Sequence, residues 1–156
     1  MPTFDDVHAL AQVIPGRWTV KATNLPVWLS GERRAALLEF EVVDQSPLTV
    51  SSVLTFTDPD GKSKTIRHRD RWNGSGFTRG GVLSRSRWEV AGARQGLLLL
   101  RYEKSLATEE GVDVVVADGV DATELRSIIA ADPASFGLSL EEFASLTWLD
   151  HLPPLE

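Results

Sequence analysis

His68 and Asp70 lie two residues apart in Arg67-His68-Arg69-Asp70-Arg71-Trp72. Two is the side-chain period of a β-strand, so an extended backbone turns Ile66, His68, Asp70 and Trp72 to one face and the three arginines to the other. Three arginines belong in water, which makes the His68 face the inner one. An imidazole and a carboxylate facing an apolar interior could orient a polar ligand group or move a proton. They could equally form a hydrogen-bonded pair at a rim. His8, in an N-terminal helical segment, and His151, in the acidic end, have no neighbours in sequence that would complete a site.

Other chemistries find less support. One inward histidine with one carboxylate falls short of a zinc set, and there is no His-x-His and no cysteine. Haem, ligated through His68 alone, stays open as a minor alternative. No Gly-x-Ser-x-Gly elbow occurs, and Gly74-Ser75-Gly76 reads as a hairpin turn, without the strand-turn-helix context of a phosphate loop. The aromatic residues suggest a cavity instead. Trp28 and Trp72 are expected to face a ligand, with Phe40, Leu54, Phe56 and Trp88 as walls, while Trp18 plugs the base and Trp148 is ordinary core, which is also the alternative for Trp88. Tyr102 follows a run that is apolar on both faces, and its direction is left undecided.

The elements that would hold these side chains are mostly strands. Phe4 to Gln12 has helical spacing and ends before Pro15. Trp18, Val20 and Ala22 alternate with Arg17, Thr19 and Lys21 as a half-buried strand. Asn24 to Glu32, punctuated by Pro26 and Gly31, reads as a loop that folds over something, either a lid on the mouth of the fold or an ordinary long loop pinned by Trp28. From Ala35 onward, strand patterns repeat with turns at Asp58-Pro59-Asp60-Gly61, at Asn73 to Gly76 and between Gly92 and Gly96, and the Gly80-Gly81 pair marks a bend. About eight strands result, without the intervening helices of a parallel sheet. Up-and-down closure into an antiparallel β-barrel leaves no free edge, and an immunoglobulin-like sandwich is the rival. Leu97 to Leu100 and Val114 to Val116 are apolar on both faces, so something must cover them outside. Two C-terminal helices, one starting at Asp121-Ala122-Thr123-Glu124 and one at the capping box Ser139-Leu140-Glu141-Glu142, are expected to do so, with the order ending at Pro153-Pro154.

Gly16-Arg17-Trp18, set after one short helix and before the strands, resembles the Gly-x-Trp signature that opens the first strand of the lipocalins. The resemblance implies a calycin-type barrel over residues 16–117, within a single domain 1–156 whose helical tail spans 121–150. It also implies an arginine packed on that tryptophan to close the barrel base. By position this is Arg101, with Arg87 second. A Thr-Asp-Tyr triplet, the family's second motif, is missing, and two tail helices stand where the family has one helix and a strand. Tyr102 to Gly111 is similar to the last hairpin of the nitrobindins, which hold haem iron through a nearby histidine, and no histidine lies there in this chain. The implied function is non-catalytic binding of a small hydrophobic or amphipathic ligand, at a mouth between the 25–32 loop and the hairpins around Gly61 and Gly76–Gly81. The alternative is a small calycin-type isomerase or decarboxylase using His68 and Asp70.

Composition sets the remaining expectations. The 156 residues carry a net charge of −6, but residues 62–104 hold 11 Lys/Arg against 3 Asp/Glu and residues 105–156 hold 1 against 11. An acidic tail folded against basic strands accounts for this segregation, and an acidic chain does not suit a phosphate backbone. The absence of cysteine, of a basic and apolar leader and of a membrane-length apolar run points to a cytoplasmic protein. Expected partners are therefore the ligand and, as an alternative still open, a second copy in a homodimer, with neither nucleic acid nor a membrane span.

Overall fold

The computed structural model describes residues 7–80, 86–94, 96–105 and 109–149. Its strands run β1 (Gly16–Thr23), β2 (Arg34–Gln45), β3 (Leu48–Thr57), β4 (Ser63–Trp72), β5 (Phe77–Arg79), β6 (Ser86–Arg94), β7 (Leu97–Tyr102) and β8 (Gly111–Ala117). Each pairs antiparallel with the next, β8 returns to β1, and β1 also pairs with β2, from Gly16↔Phe40 to Thr19↔Leu37. That last pairing closes the ring and rules out two separate sheets. The result is an up-and-down barrel, as the strand spacing predicts.

Inside, the core follows the two-residue period. Trp18 and Val20 of β1, Leu38 and Phe40 of β2, Val50 of β3 and Leu98 and Leu100 of β7 form one buried cluster with Leu10 and Ile14. The last two come from α1 (Val7–Val13) and the residue after it, so this helix closes the end of the barrel where β1 begins. The start of the predicted helix, at Phe4, lies outside the described residues. Gly16 holds φ at +137°, a backbone few side chains tolerate, and the Trp18 indole N–H then donates to the Ile14 carbonyl at 2.9 Å. The Gly-x-Trp element thus ties the helix to the barrel.

A second core lies outside the wall. Leu97 and Leu99 of β7 and Val112, Val114 and Val116 of β8 point away from the interior, onto Leu125 and Ile129 of α3 (Leu125–Ala131) and onto Phe136, Leu138 and Leu146. The tail is more elaborate than two helices. Between α3 and α4 (Leu140–Ser145) runs a 3₁₀ turn, Pro133–Phe136, and a short ninth strand, β9 (Thr147–Trp148), adds to β1 at Ala22↔Trp148. α3 starts at Leu125, four residues after the predicted Asp121, whereas the capping box at Ser139 forms as read. Gly137 has φ +79°, and a Cβ there would lie 2.0 Å from the Ala91 carbonyl oxygen, so the tail crosses β6 as close as backbone allows. Trp148 therefore belongs to the outer core, and Pro153-Pro154 lies outside the described residues. Gly92, read as the start of a turn, sits inside β6 at a register shift.

Arg101 corrects the expectation that it packs on Trp18. It shares the outward face of β7 with Leu97 and Leu99, and its guanidinium clasps the tail. Nε and Nη2 donate to the two carboxylate oxygens of Glu142 at 2.9 and 2.8 Å, Nη2 also donates to the Gly137 carbonyl at 2.7 Å, and Nη1 donates to Glu89 at 3.0 Å. Its hydrogen bonds to Glu142 outweigh desolvation and raise its pKa, while Glu142 is lowered. Arg87, the second choice, pairs with Glu103 at 3.9 Å and donates to the Ser75 hydroxyl, also away from Trp18. Arg101→Ala should lower stability by about 1–2 kcal/mol, the range for a half-exposed bidentate pair. Thermal melts would show this, and an unchanged Tm would mean the outer apolar core holds the tail without the clasp. Among the described residues no helix is long and apolar enough to cross a membrane.

Candidate functional site

A cavity of about 490 Å³ opens into the barrel at the end opposite α1. Its cover is a single helical turn, α2 (Pro26–Leu29), where a loop is expected. Pro26 at the first turn fixes the φ that starts it, and Trp28, only 9% exposed, swings inward. Leu25, Val27, Leu38, Phe40, Leu54 and Ile66 supply apolar wall.

The polar lining is arranged in two groups. Arg79 of β5 donates from Nε to Asp70 Oδ1 and from Nη2 to Asp70 Oδ2, both at 2.8 Å, and from Nη2 to the Ser52 hydroxyl at 3.0 Å. Ser52 in turn donates to Asp70 at 3.1 Å. Burial alone would lower the Arg79 pKa, but the hydrogen bonds and charge of Asp70 carry it above its ordinary value. His68 faces the cavity beside this pair. Burial first, then the charges of Arg79 and Arg33, push its pKa down, against an opposing pull from Asp70.

The second group sits under the cover. Asp113 of β8 is buried, and its carboxylate oxygens accept from the Thr23 hydroxyl at 2.7 Å and from the Trp28 indole N–H at 3.1 Å. Thr23 also accepts from the Leu25 amide at 2.9 Å, so one chain of hydrogen bonds fastens α2 to β1 and β8. Desolvation pushes the Asp113 pKa up to about 7 in spite of these donors. Tyr102 lies between the groups. Burial, with the negative charges of Asp113 and Asp70, raises its pKa, and Arg79 opposes them. At the cavity edge, Arg33 places its guanidinium 5.8 Å from the Trp28 ring centre and 5.1 Å from that of Phe56.

Of the residues singled out from sequence, Trp28, Phe40, Leu54 and His68 line this cavity together. Asp70 faces inward as expected but lies behind Arg79, fully covered and bound to it, so the His68–Asp70 pair proposed for acid–base work does not form. Trp72 and Trp88 are not lining residues. They sandwich Phe77 at ring distances of 5.3 and 4.5 Å, and Trp88 stacks on Phe40 at 5.7 Å, so they are core behind the wall. Phe56 meets Arg33 and likewise stays out of the lining. Of the predicted hairpin rims, Gly80 reaches the cavity, Gly61 and Gly76 do not, and Gly81 lies outside the described residues, as does His151. Among the described residues no group of three or more His, Cys, Asp and Glu could hold a metal.

Sequence reasoning missed Arg79, Ser52, Asp113 and Arg33. Two of them left a trace. With the turn fixed at Asn73–Gly76, Trp72 opposes Phe77, and counting outward sets Asp70 opposite Arg79. An aspartate inside Val112-Asp113-Val114 is likewise an acid that the strand must bury.

The architecture has close counterparts. Lobster apocrustacyanin A1 superposes with a TM-score of 0.63 at 11% identity, over 94% of this chain and 86% of that one. The odorant-binding protein OBP1 gives 0.62 at 14%, over 89% and 92%, and the bovine lipocalin allergen Bos d 2 gives 0.60 at 13%, over 90% and 97%. The chain has the lipocalin fold. No protein-family model matches its sequence, and no curated protein does.

Proposed function

We propose that this lipocalin-fold chain binds a small, largely apolar molecule inside the barrel, without catalysis. The observation that carries the reading is the cavity itself, covered by α2, set in a barrel that α1 closes at its far end, and of a volume typical of small-molecule sites. Solved structures with this fold include one described as an odorant-binding protein and one described as a siderocalin with dual ligand specificities, which supports a binding role. Burying apolar ligand area gains about 25 cal/mol per Å² before association costs, so an affinity on the order of micromolar needs no special contact.

Native mass spectrometry of the purified protein, with extraction of any retained compound, tests this directly. Alongside it, ANS should bind and be displaced by the extract, and tryptophan emission should change on displacement. Trp28 lines the cavity, so Trp28→Phe should remove much of that emission change. If nothing is retained and ANS does not bind, the cavity is not a ligand site. A Soret band on adding haem, abolished in His68→Ala, would replace the proposal with a haem protein.

A further inference from the structure

Two arginines line the cavity that a ligand would meet. Arg79 is answered by Asp70. Arg33 has no ion pair among the described residues. Among the described residues its guanidinium meets only the Trp28 and Phe56 rings, and burial lowers its pKa, with the adjacent Glu32 the one charge opposing that shift. Arg33, Arg79 and His68 all line the same cavity. Two acids share the lining, and neither is ion-paired to Arg33: Asp113 is buried with its oxygens engaged by Thr23 and Trp28, and Glu109 is exposed at the rim.

A half-buried cation resting on two aromatic rings is stabilised further when an anion joins it. The outer wall points the same way. Arg67, Arg69 and Arg71 are exposed on β4, within the basic 62–104 segment, and their field favours the approach of anions.

From this we infer that the ligand is an amphipathic anion, with an apolar body along Phe40, Leu54 and Ile66 and one carboxylate held by Arg33 at the cavity edge, on the side of the cavity that His68 also lines. The inference rests on the barrel being a binding cavity and adds the chemical class of the head group. Arginine is suited to this task, since its planar fork meets both oxygens of a carboxylate.

The test uses three probes with the same alkyl chain, decanoate, decanol and decylamine, each measured by ANS displacement from the full chain near neutral pH. A charge-assisted hydrogen bond in place of a neutral one predicts that decanoate binds roughly tenfold or more tightly than decanol. Arg33→Gln should bring that ratio close to one, with circular dichroism confirming that the variant is folded. Equal affinities for acid and alcohol, or a ratio unchanged in Arg33→Gln, would overturn the head-group assignment and leave the barrel as a binding site. A preference for decylamine would overturn it too, and would point to Asp113. If none of the three displaces ANS and no compound is retained on purification, both readings fall.

Discussion

Asp70→Ala should destabilise the protein by about 3–5 kcal/mol, the range for breaking a buried ion pair from one side. The Asp70 side chain is 0% exposed and that of Arg79, at the cavity wall, is 21% exposed, so the carboxylate has no water to turn to and the guanidinium has little. Removing the carboxylate leaves the guanidinium with the Ser52 hydroxyl as its one described partner. Arg79→Leu has the mirror effect, because Asp70 would then keep one hydroxyl donor and no cation. Replacing both, as Asp70→Ala with Arg79→Leu, should recover most of the loss, since two apolar side chains leave no orphaned charge. Urea unfolding of the four proteins gives the cycle, with a midpoint shift at constant m expected for each single variant. Single substitutions that each cost under about 1 kcal/mol would mean that water already reaches the pair.

That pair also shows where sequence reasoning stops. Alternation in β4 is strict, and exposed Arg67, Arg69 and Arg71 place Ile66, His68, Asp70 and Trp72 inside, as the structure has them. Parity says which face a side chain takes but not how deep along the barrel it lies. Depth follows from register with neighbouring strands. His68 opposes Ser52 beside the cavity, Asp70 one step further opposes Val50, and Trp72 reaches the packed layer around Phe77. Four residues on one face thus have four different surroundings, and only His68 and Ile66 touch the cavity.

Arg101 illustrates the opposite case, in which the information was present and a motif overrode it. Leu97 to Leu100 are apolar on both faces, so something outside had to cover one set. Once the tail covers Leu97 and Leu99, the same period sends Arg101 outward and Tyr102 inward with Leu98 and Leu100. The charge segregation agrees, since Glu142 of the acidic tail meets an arginine of the basic strands. Placing Arg101 on Trp18 required it to cross the wall. What no local pattern shows is β9, two residues whose pairing with Ala22 and Thr23 depends on where the whole tail has been carried.

Asp113 should make the protein lose stability as pH rises. Its folded pKa is raised from 3.8 to about 7, chiefly by burial, so between those values the folded state holds a proton that the unfolded state has released. Stability from this group is therefore greatest below about pH 4, falls through the window to pH 7, and levels off above it. A shift of this size corresponds to roughly 4 kcal/mol over the whole window. His68 works in the other direction, because its lowered pKa makes stability rise with pH through the histidine range, so the bare profile of the protein mixes both. Asp113→Asn separates them. The amide can still accept from the Trp28 indole and offer its N–H to the Thr23 oxygen, which keeps the fastening of α2 while removing the charge. The stability at about pH 8 relative to that at about pH 5 should be higher in the variant than in wild type, with the rise due to His68 left uncancelled, and the variant should be the more stable protein at the higher pH. Parallel profiles would show that Asp113 titrates as an ordinary carboxyl, and that the cover of the cavity is wetter than its burial implies.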